Sequence, residues 1–345
     1  MQLPREVIVG NGTVELTAKV SRQLGFTESA LIIAGSKTYE IAGKKVRQLL
    51  EEENRMAVES LIVEAATVKE VEEAEAKIGE VKPQIVFGVG GGTKIDVAKC
   101  SSARKGTPFI SVPTSASHDG IASPLSSIKG FEKPYSIIAQ APLAIVADTN
   151  LIMKAPWRSA VNGCADVIAK LTAVRDWRLA YKEKNEYYGV YAASLALMSA
   201  KHVIQNVPLI ATRAEEGFRV LIEALISCGV SMSIAGSSRP CSGSEHLFSH
   251  ALDLRCPNHG MHGEQCGLGA IMMAYLQGAD WKRVRDALKN LGAPTTAAEL
   301  GVSSEDIVKA LELASKIRPE RYTVLNKANM NREDCERLAR TTGVT

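Results

Sequence analysis

The chain has no run of roughly 18 or more apolar residues that would span a bilayer. Its opening, Met1-Gln-Leu-Pro-Arg-Glu-Val7, lacks the charged region and apolar stretch of a signal peptide. A cytoplasmic protein that is not inserted in a membrane is therefore expected. There is also no basic run interleaved with aromatic residues; 41 basic and 38 acidic side chains are mixed along the sequence for a net charge of +3, which argues against nucleic acid as a partner. No C-x-x-C occurs among Cys100, Cys164, Cys228, Cys241, Cys256, Cys266 and Cys335, and their number is odd, so neither a disulfide framework nor a cysteine zinc site is expected. They read as reduced thiols. Internal repeats and low-complexity segments are absent as well.

What is present is an ordinary globular composition, 46% hydrophobic and 23% charged, over 345 residues, more than one core usually serves. Two domains are expected. Short β-branched runs at 7–9, 30–34, 60–63, 85–89, 109–112 and 143–147 alternate with helical segments such as 39–52 and 68–79, the pattern of βα units around a parallel sheet. Beyond about residue 155 the strand signal fades and helical periodicity takes over at 159–177, 186–203, 217–236, 264–277 and 284–291. The breakers Asp148, Asn150 and Pro156 place the boundary so that 1–154 form an α/β Rossmann-like dinucleotide-binding domain and 155–345 an all-α domain.

The run 83–87 reads as a strand that enters Gly88-Val-Gly-Gly-Gly-Thr-Lys-Ile-Asp96 and then a helix. Side-chain-free residues let backbone N–H groups approach a pyrophosphate, and the positive end of the helix favours its charge. A glycine turn that serves only packing is the alternative. The next strand ends in Pro113-Thr-Ser-Ala-Ser-His-Asp119, small hydroxylated residues suited to bonding a nicotinamide amide and ribose, or an ordinary polar turn. After 31–34 comes Gly35-Ser36-Lys37 with no acid immediately following, so a 2′-phosphate is not repelled and both NAD and NADP are expected to be accepted.

Asn162, Asp166 and Lys170 recur every four residues on an otherwise apolar helix and so share one face. A buried Asp–Lys pair can be purely structural. Four of six histidines, however, lie at 246, 250, 259 and 262, and His246 and His250 are again four apart. One carboxylate with two imidazoles is a usual catalytic zinc set. His262, at the start of an apolar helix in His-Gly-Glu, is preferred to His259 as the last ligand.

With Gly90–Asp96 and Pro113–Asp119 in hand, the chain resembles the superfamily of iron-containing alcohol dehydrogenases, glycerol dehydrogenases and dehydroquinate synthases. The Ser-His-Asp-Gly version of its second loop is similar to the glycerol phosphate branch. That resemblance implies a dehydroquinate synthase-like fold whose helical half binds metal, with Asp166, His246 and His262 holding one Zn2+. It also implies that Gly90, Gly91, Gly92, Thr93, Lys94, Ile95, Asp96, Thr114, Ser115, Ala116, Ser117 and Ser123 bind the dinucleotide. Asp119, Asp166 and His250 would be catalytic and would meet the substrate together with Asn162 and Lys170, the first candidates for its phosphate; Arg239 is a further one. The implied reaction is NAD(P)H-dependent reduction of dihydroxyacetone phosphate to sn-glycerol 1-phosphate for archaeal-type membrane lipids, by a homo-oligomer. The alternatives are a glycerol dehydrogenase-like polyol oxidoreductase and a dehydroquinate synthase-like lyase. Glu usually stands in the lyase where this chain has Asp166.

Overall fold

The computed structural model describes residues 1–130, 136–256 and 259–345. The chain divides into two compact units, Met1–Ser159 and Ala160–Thr345, where the breaker residues placed the boundary at 154.

The first unit is built on strands β1 (Glu6–Gly10), β2 (Ser29–Ala34), β3 (Ala57–Ile62), β4 (Ile85–Gly90) and β5 (Phe109–Pro113), a short hairpin of β6 (Leu125–Ser127) and β7 (Ser136–Ile138), and β8 (Ala144–Asp148). Six of them form an all-parallel sheet in the order β1-β8-β5-β4-β2-β3. Strands of a parallel sheet are apolar on both faces; accordingly all of β4, β5 and β8 is buried. The β6–β7 hairpin was not anticipated, because three-residue strands carry too little periodicity to register. Strand order reverses direction between β2 and β4, and in open α/β sheets ligands bind outside the carboxyl ends of the strands at such a switch point. Gly35 and Ser36 follow β2 there, and Gly91 and Gly92 follow β4, the latter opening the helix Gly92–Lys105 that packs on β4 and β5.

All described elements of the second unit are helices. The longest, Trp157–Lys184, buries Asn162, Asp166, Lys170 and Asp176 among Val161, Val167, Ile168 and Trp177. Helix Glu215–Ala235 is long and apolar enough to cross a membrane, yet most of it is buried, with Phe218, Leu221, Ile222 and Leu225 in the core, and it packs on helix Val190–Gln205. Helix Ser244–Arg255 lies against both His262–Leu276 and Ser304–Ile317.

Candidate active site

In the first unit, Gly91 caps helix Gly92–Lys105 in extended conformation, with its carbonyl accepting from the Lys94 and Ile95 N–H groups at 3.0 and 3.2 Å. The first N–H groups of a helix have no partner within it. The second loop docks beside this turn: the Thr114 N–H donates to the Gly90 carbonyl at 3.0 Å, and Ser115 Oγ stands 3.0 Å from where a Cβ on Gly91 would be. Gly92 has a specific requirement, since a Cβ there would lie 1.6 Å from His118 Nε2. His118 Nδ1 accepts from the Gly120 N–H at 2.8 Å, so a neutral ring carries its proton on the nitrogen that faces Gly92. That residue had no assigned role in the sequence reading.

Several expected cofactor residues turn elsewhere. Lys94 donates to the Glu64 carbonyl at 2.8 Å. Ile95 is fully buried, and the Asp96 carboxylate accepts from Lys99 at 3.2 Å and from the Ser127 N–H at 3.0 Å. Both serve the packing beneath the turn. Ser123 Oγ donates to the Leu125 carbonyl at 3.2 Å, while the Asp119 carbonyl receives the Ala122 and Ser123 N–H groups, each at 3.1 Å. At the β2 end Glu64 adds a group that the sequence next to the strand does not show. The chain has no acid directly after β2, but Glu64, just beyond β3, accepts from both the N–H of Ser36, at 3.0 Å, and its hydroxyl. Parallel pairing of β2 and β3 brings it there, a neighbour in space that linear reading does not see.

In the second unit, ligand atoms of Asp166, His246, His262 and Cys266 all lie within 4.8 Å of one another. His246 Nε2 is 3.6 Å from Asp166 Oδ1, and the two imidazoles meet edge to face with centroids 5.0 Å apart. Each ring is held from behind. His246 Nδ1 meets Glu245 Oε1 at 2.9 Å, and His262 Nδ1 meets Ser249 Oγ at 3.2 Å, which leaves both Nε2 atoms for the cluster. Outer partners of this kind fix the tautomer of metal-binding histidines. Glu245 is itself pinned by the Gly243 N–H at 2.6 Å and Thr172 Oγ1 at 2.8 Å. Asp176 holds the start of the same helix through the Ser244 N–H at 2.7 Å and its hydroxyl. Gly263 lets the His262 helix approach, because a Cβ there would sit 2.0 Å from the Asn162 carbonyl oxygen.

Burial opposes ionisation of Asp166, but the Lys170 ammonium and the two imidazoles overcome it and hold the carboxylate well below its usual range. Lys170, completely buried, donates to Asp166 Oδ1 at 2.6 Å, and Asn162 Oδ1 accepts from the Glu264 N–H at 3.1 Å. Of the two first candidates for the substrate phosphate, Lys170 is thus paired with Asp166, while Asn162 is engaged through its amide oxygen. Arg239 pairs with Glu186 and donates to the Tyr322 carbonyl at 3.1 Å. His250 stacks on His262 with centroids 6.2 Å apart; burial, His262 and His246 push its pKa well down, and Arg318 and Arg321 add to this. His259 pairs with Asp253 at 3.0 Å and lies outside the four-residue group.

Glu245 and Cys266 had no role in the sequence reading. An acid next to a ligand histidine, and a cysteine four residues after another, were the available signals. One carboxylate, two oriented imidazoles and a thiol form a donor set that suits zinc.

The profile of the iron-containing alcohol dehydrogenases matches residues 8–156. The glycerol-1-phosphate dehydrogenase [NAD(P)+] of Pyrococcus furiosus is 52% identical over 100% of this chain and 99% of its own length. This chain belongs to the glycerol-1-phosphate dehydrogenase family. The Methanosarcina mazei glycerol-1-phosphate dehydrogenase [NAD(P)+] is 49% identical over 100% of this chain and 96% of its own. The crystal structure of glycerol dehydrogenase from Schizosaccharomyces pombe shares the fold, with a TM-score of 0.79 at 20% identity, over 100% of this chain and 93% of that one. In this member of the glycerol-1-phosphate dehydrogenase family, the glycine turn and the four-donor cluster both fall inside the full-length match.

Proposed function

We propose that the chain reduces dihydroxyacetone phosphate to sn-glycerol 1-phosphate with NADH or NADPH, assisted by one Zn2+ held by Asp166, His246 and His262. The observation that carries this reading is the buried donor cluster with its oriented Nε2 atoms, in a chain so similar to named glycerol-1-phosphate dehydrogenases. When bound, the cation polarises the ketone and stabilises the charge that grows on its oxygen.

The chain's own groups do the rest. Residues 1–154 act as the dinucleotide domain, with the pyrophosphate at Gly91, Gly92 and Thr93 and the nicotinamide side at Thr114, Ser115, Ala116 and Ser117. Glu245 and Ser249 hold the imidazoles of His246 and His262, and Lys170 keeps Asp166 ionised. His250, uncharged near neutral pH, offers the substrate one N–H and one lone pair. Asp119 accepts from substrate hydroxyls and helps present one ketone face. A cytoplasmic homo-oligomer supplying the glycerol phosphate of archaeal-type lipids fits this activity.

The test is to supply dihydroxyacetone phosphate and NADPH to zinc-loaded protein and assay the product with enzymes specific for each glycerol phosphate enantiomer. Formation of sn-glycerol 1-phosphate alone is expected. Turnover of glycerol but not of the phosphate ester would replace this reading with that of a polyol oxidoreductase, and absence of any net nicotinamide oxidation would favour a lyase.

A further inference from the structure

We propose that the helical unit carries a second site, for an organic polyphosphate: an anion with several phosphate charges on an apolar or aromatic body. The site is a cavity of about 680 Å³ that none of Asp166, His246 and His262 lines. Small-molecule pockets commonly measure about 300–1,000 Å³. Cationic side chains reach it from separate helices: Arg175, Arg178 and Lys182 from Trp157–Lys184, Lys201 from Val190–Gln205, Arg283 from Trp281–Leu291 and Lys327 from Val324–Ala328.

Two acids share the lining, and both are engaged. Buried Asp176 accepts from the Ser244 N–H at 2.7 Å and the Val324 N–H at 2.8 Å, and Asp280 accepts from the Arg283 N–H at 3.1 Å. Lys327 pairs with Glu183. The other five cations have no ion pair among the described residues. Elsewhere the helices of this chain set opposite charges four residues apart, as in Glu40–Lys44, Arg47–Glu51 and Arg219–Glu223. Arg178 and Lys182 have that spacing with like charges, which opposes the helix. A lone exposed cation is simply solvated, but five that converge on one cavity repel one another, and a multiply charged anion relieves that repulsion.

Between the cations the walls are apolar, with Leu171, Val174, Leu179, Leu197, Ile204 and Val284. Tyr188 adds a ring, set against Trp177 with centroids 4.9 Å apart. An inorganic anion would leave these surfaces wet, whereas an organic body covers them. Three of the cations are arginines, whose guanidinium groups match phosphate oxygens two at a time. Charge and apolar wall together therefore select phosphates carried on an organic body.

The experiment titrates ATP and, separately, inorganic tripolyphosphate into the full chain by calorimetry, using the wild type and the double variants Arg175→Gln/Arg178→Gln and Lys201→Gln/Arg283→Gln. These four side chains are exposed, so both variants should melt like the wild type. The wild type should bind ATP at least about tenfold more tightly than tripolyphosphate, and each double variant should weaken ATP at least about tenfold. NADH binding, followed by its fluorescence, should change less than about twofold in the same variants, because the glycine turn belongs to the other unit. ATP affinity unchanged in both variants, or no ATP binding by the wild type, would overturn the site. Tripolyphosphate binding as tight as that of ATP would overturn the organic body. A changed oligomeric state in light scattering with unchanged ATP affinity would give the cavity to contact between copies instead. None of these readouts depends on zinc or turnover.

Discussion

Glu245 sits where loss of one side chain should loosen the metal without touching a ligand. It is completely buried, and its two oxygens meet three donors: the Gly243 N–H at 2.6 Å, His246 Nδ1 at 2.9 Å and Thr172 Oγ1 at 2.8 Å. In Glu245→Gln the amide oxygen can replace Oε1 and face Gly243 and His246. The amide nitrogen then faces the Thr172 hydroxyl, which can accept while donating to the Ala169 carbonyl at 2.8 Å. Every donor keeps a partner and only the charge is lost. Metal affinity should fall no more than about tenfold, or 1.4 kcal/mol. Glu245→Ala is harsher, for it frees the imidazole to rotate or change tautomer and leaves the Gly243 N–H buried without an acceptor. Zinc affinity should fall by up to about a hundredfold, and the metal-free fold should lose about 1–3 kcal/mol for the unmet donor. Chelator competition measures the first quantity and urea denaturation of stripped protein the second. Glu245→Ala with wild-type zinc affinity would refute the argument that this carboxylate orients His246.

Three further outcomes follow from the same geometry. Glu64→Gln should raise the ratio of kcat/KM for NADPH over NADH at least about tenfold, because Glu64 meets Ser36 where the adenosine ribose is expected; an unchanged ratio would remove it from that position. Burial, with Glu245 nearby, pushes Asp176 up to about 6 from 3.8, so the folded chain binds this proton more tightly than the unfolded one. Its contribution is then fully present below about pH 4 and is lost as pH rises through about 6, a change of roughly 3 kcal/mol. Melts from pH 4 to 7 should show that loss in the wild type relative to Asp176→Asn, and parallel curves would contradict it. Gly92→Ala should weaken NAD(H) binding at least about tenfold by driving the His118 ring off Gly120, with partial recovery in Gly92→Ala/His118→Ala; calorimetry showing unaltered binding would refute the close approach.

The parallel sheet was legible because its strands are short β-branched runs, and all six sheet strands fall close to where those runs predict. Asp166 and Lys170 were legible as a polar stripe on an apolar helix, and His246 and His262 as a local excess of a rare residue. Contacts between distant segments were not. Glu64 reaches Ser36 only because β2 and β3 pair in register, and Asp176 reaches Ser244 only after two helices pack. Charge balance was hidden as well: Lys170, Asn162 and Arg239 look like anion donors in sequence, but each has a partner inside its own unit. Cys266 stands in none of the usual cysteine zinc spacings, and only the fold brings it close to Asp166 and His246.

The central claim, that one cation at Asp166, His246 and His262 is required for reduction of dihydroxyacetone phosphate, is tested most directly by titrating stripped protein with zinc while following nicotinamide absorbance. Activity should rise in proportion to zinc and level off at about one equivalent per chain. His246→Ala, still binding dinucleotide, should stay inactive throughout. Full turnover by the metal-free protein, or by His246→Ala, would contradict the account.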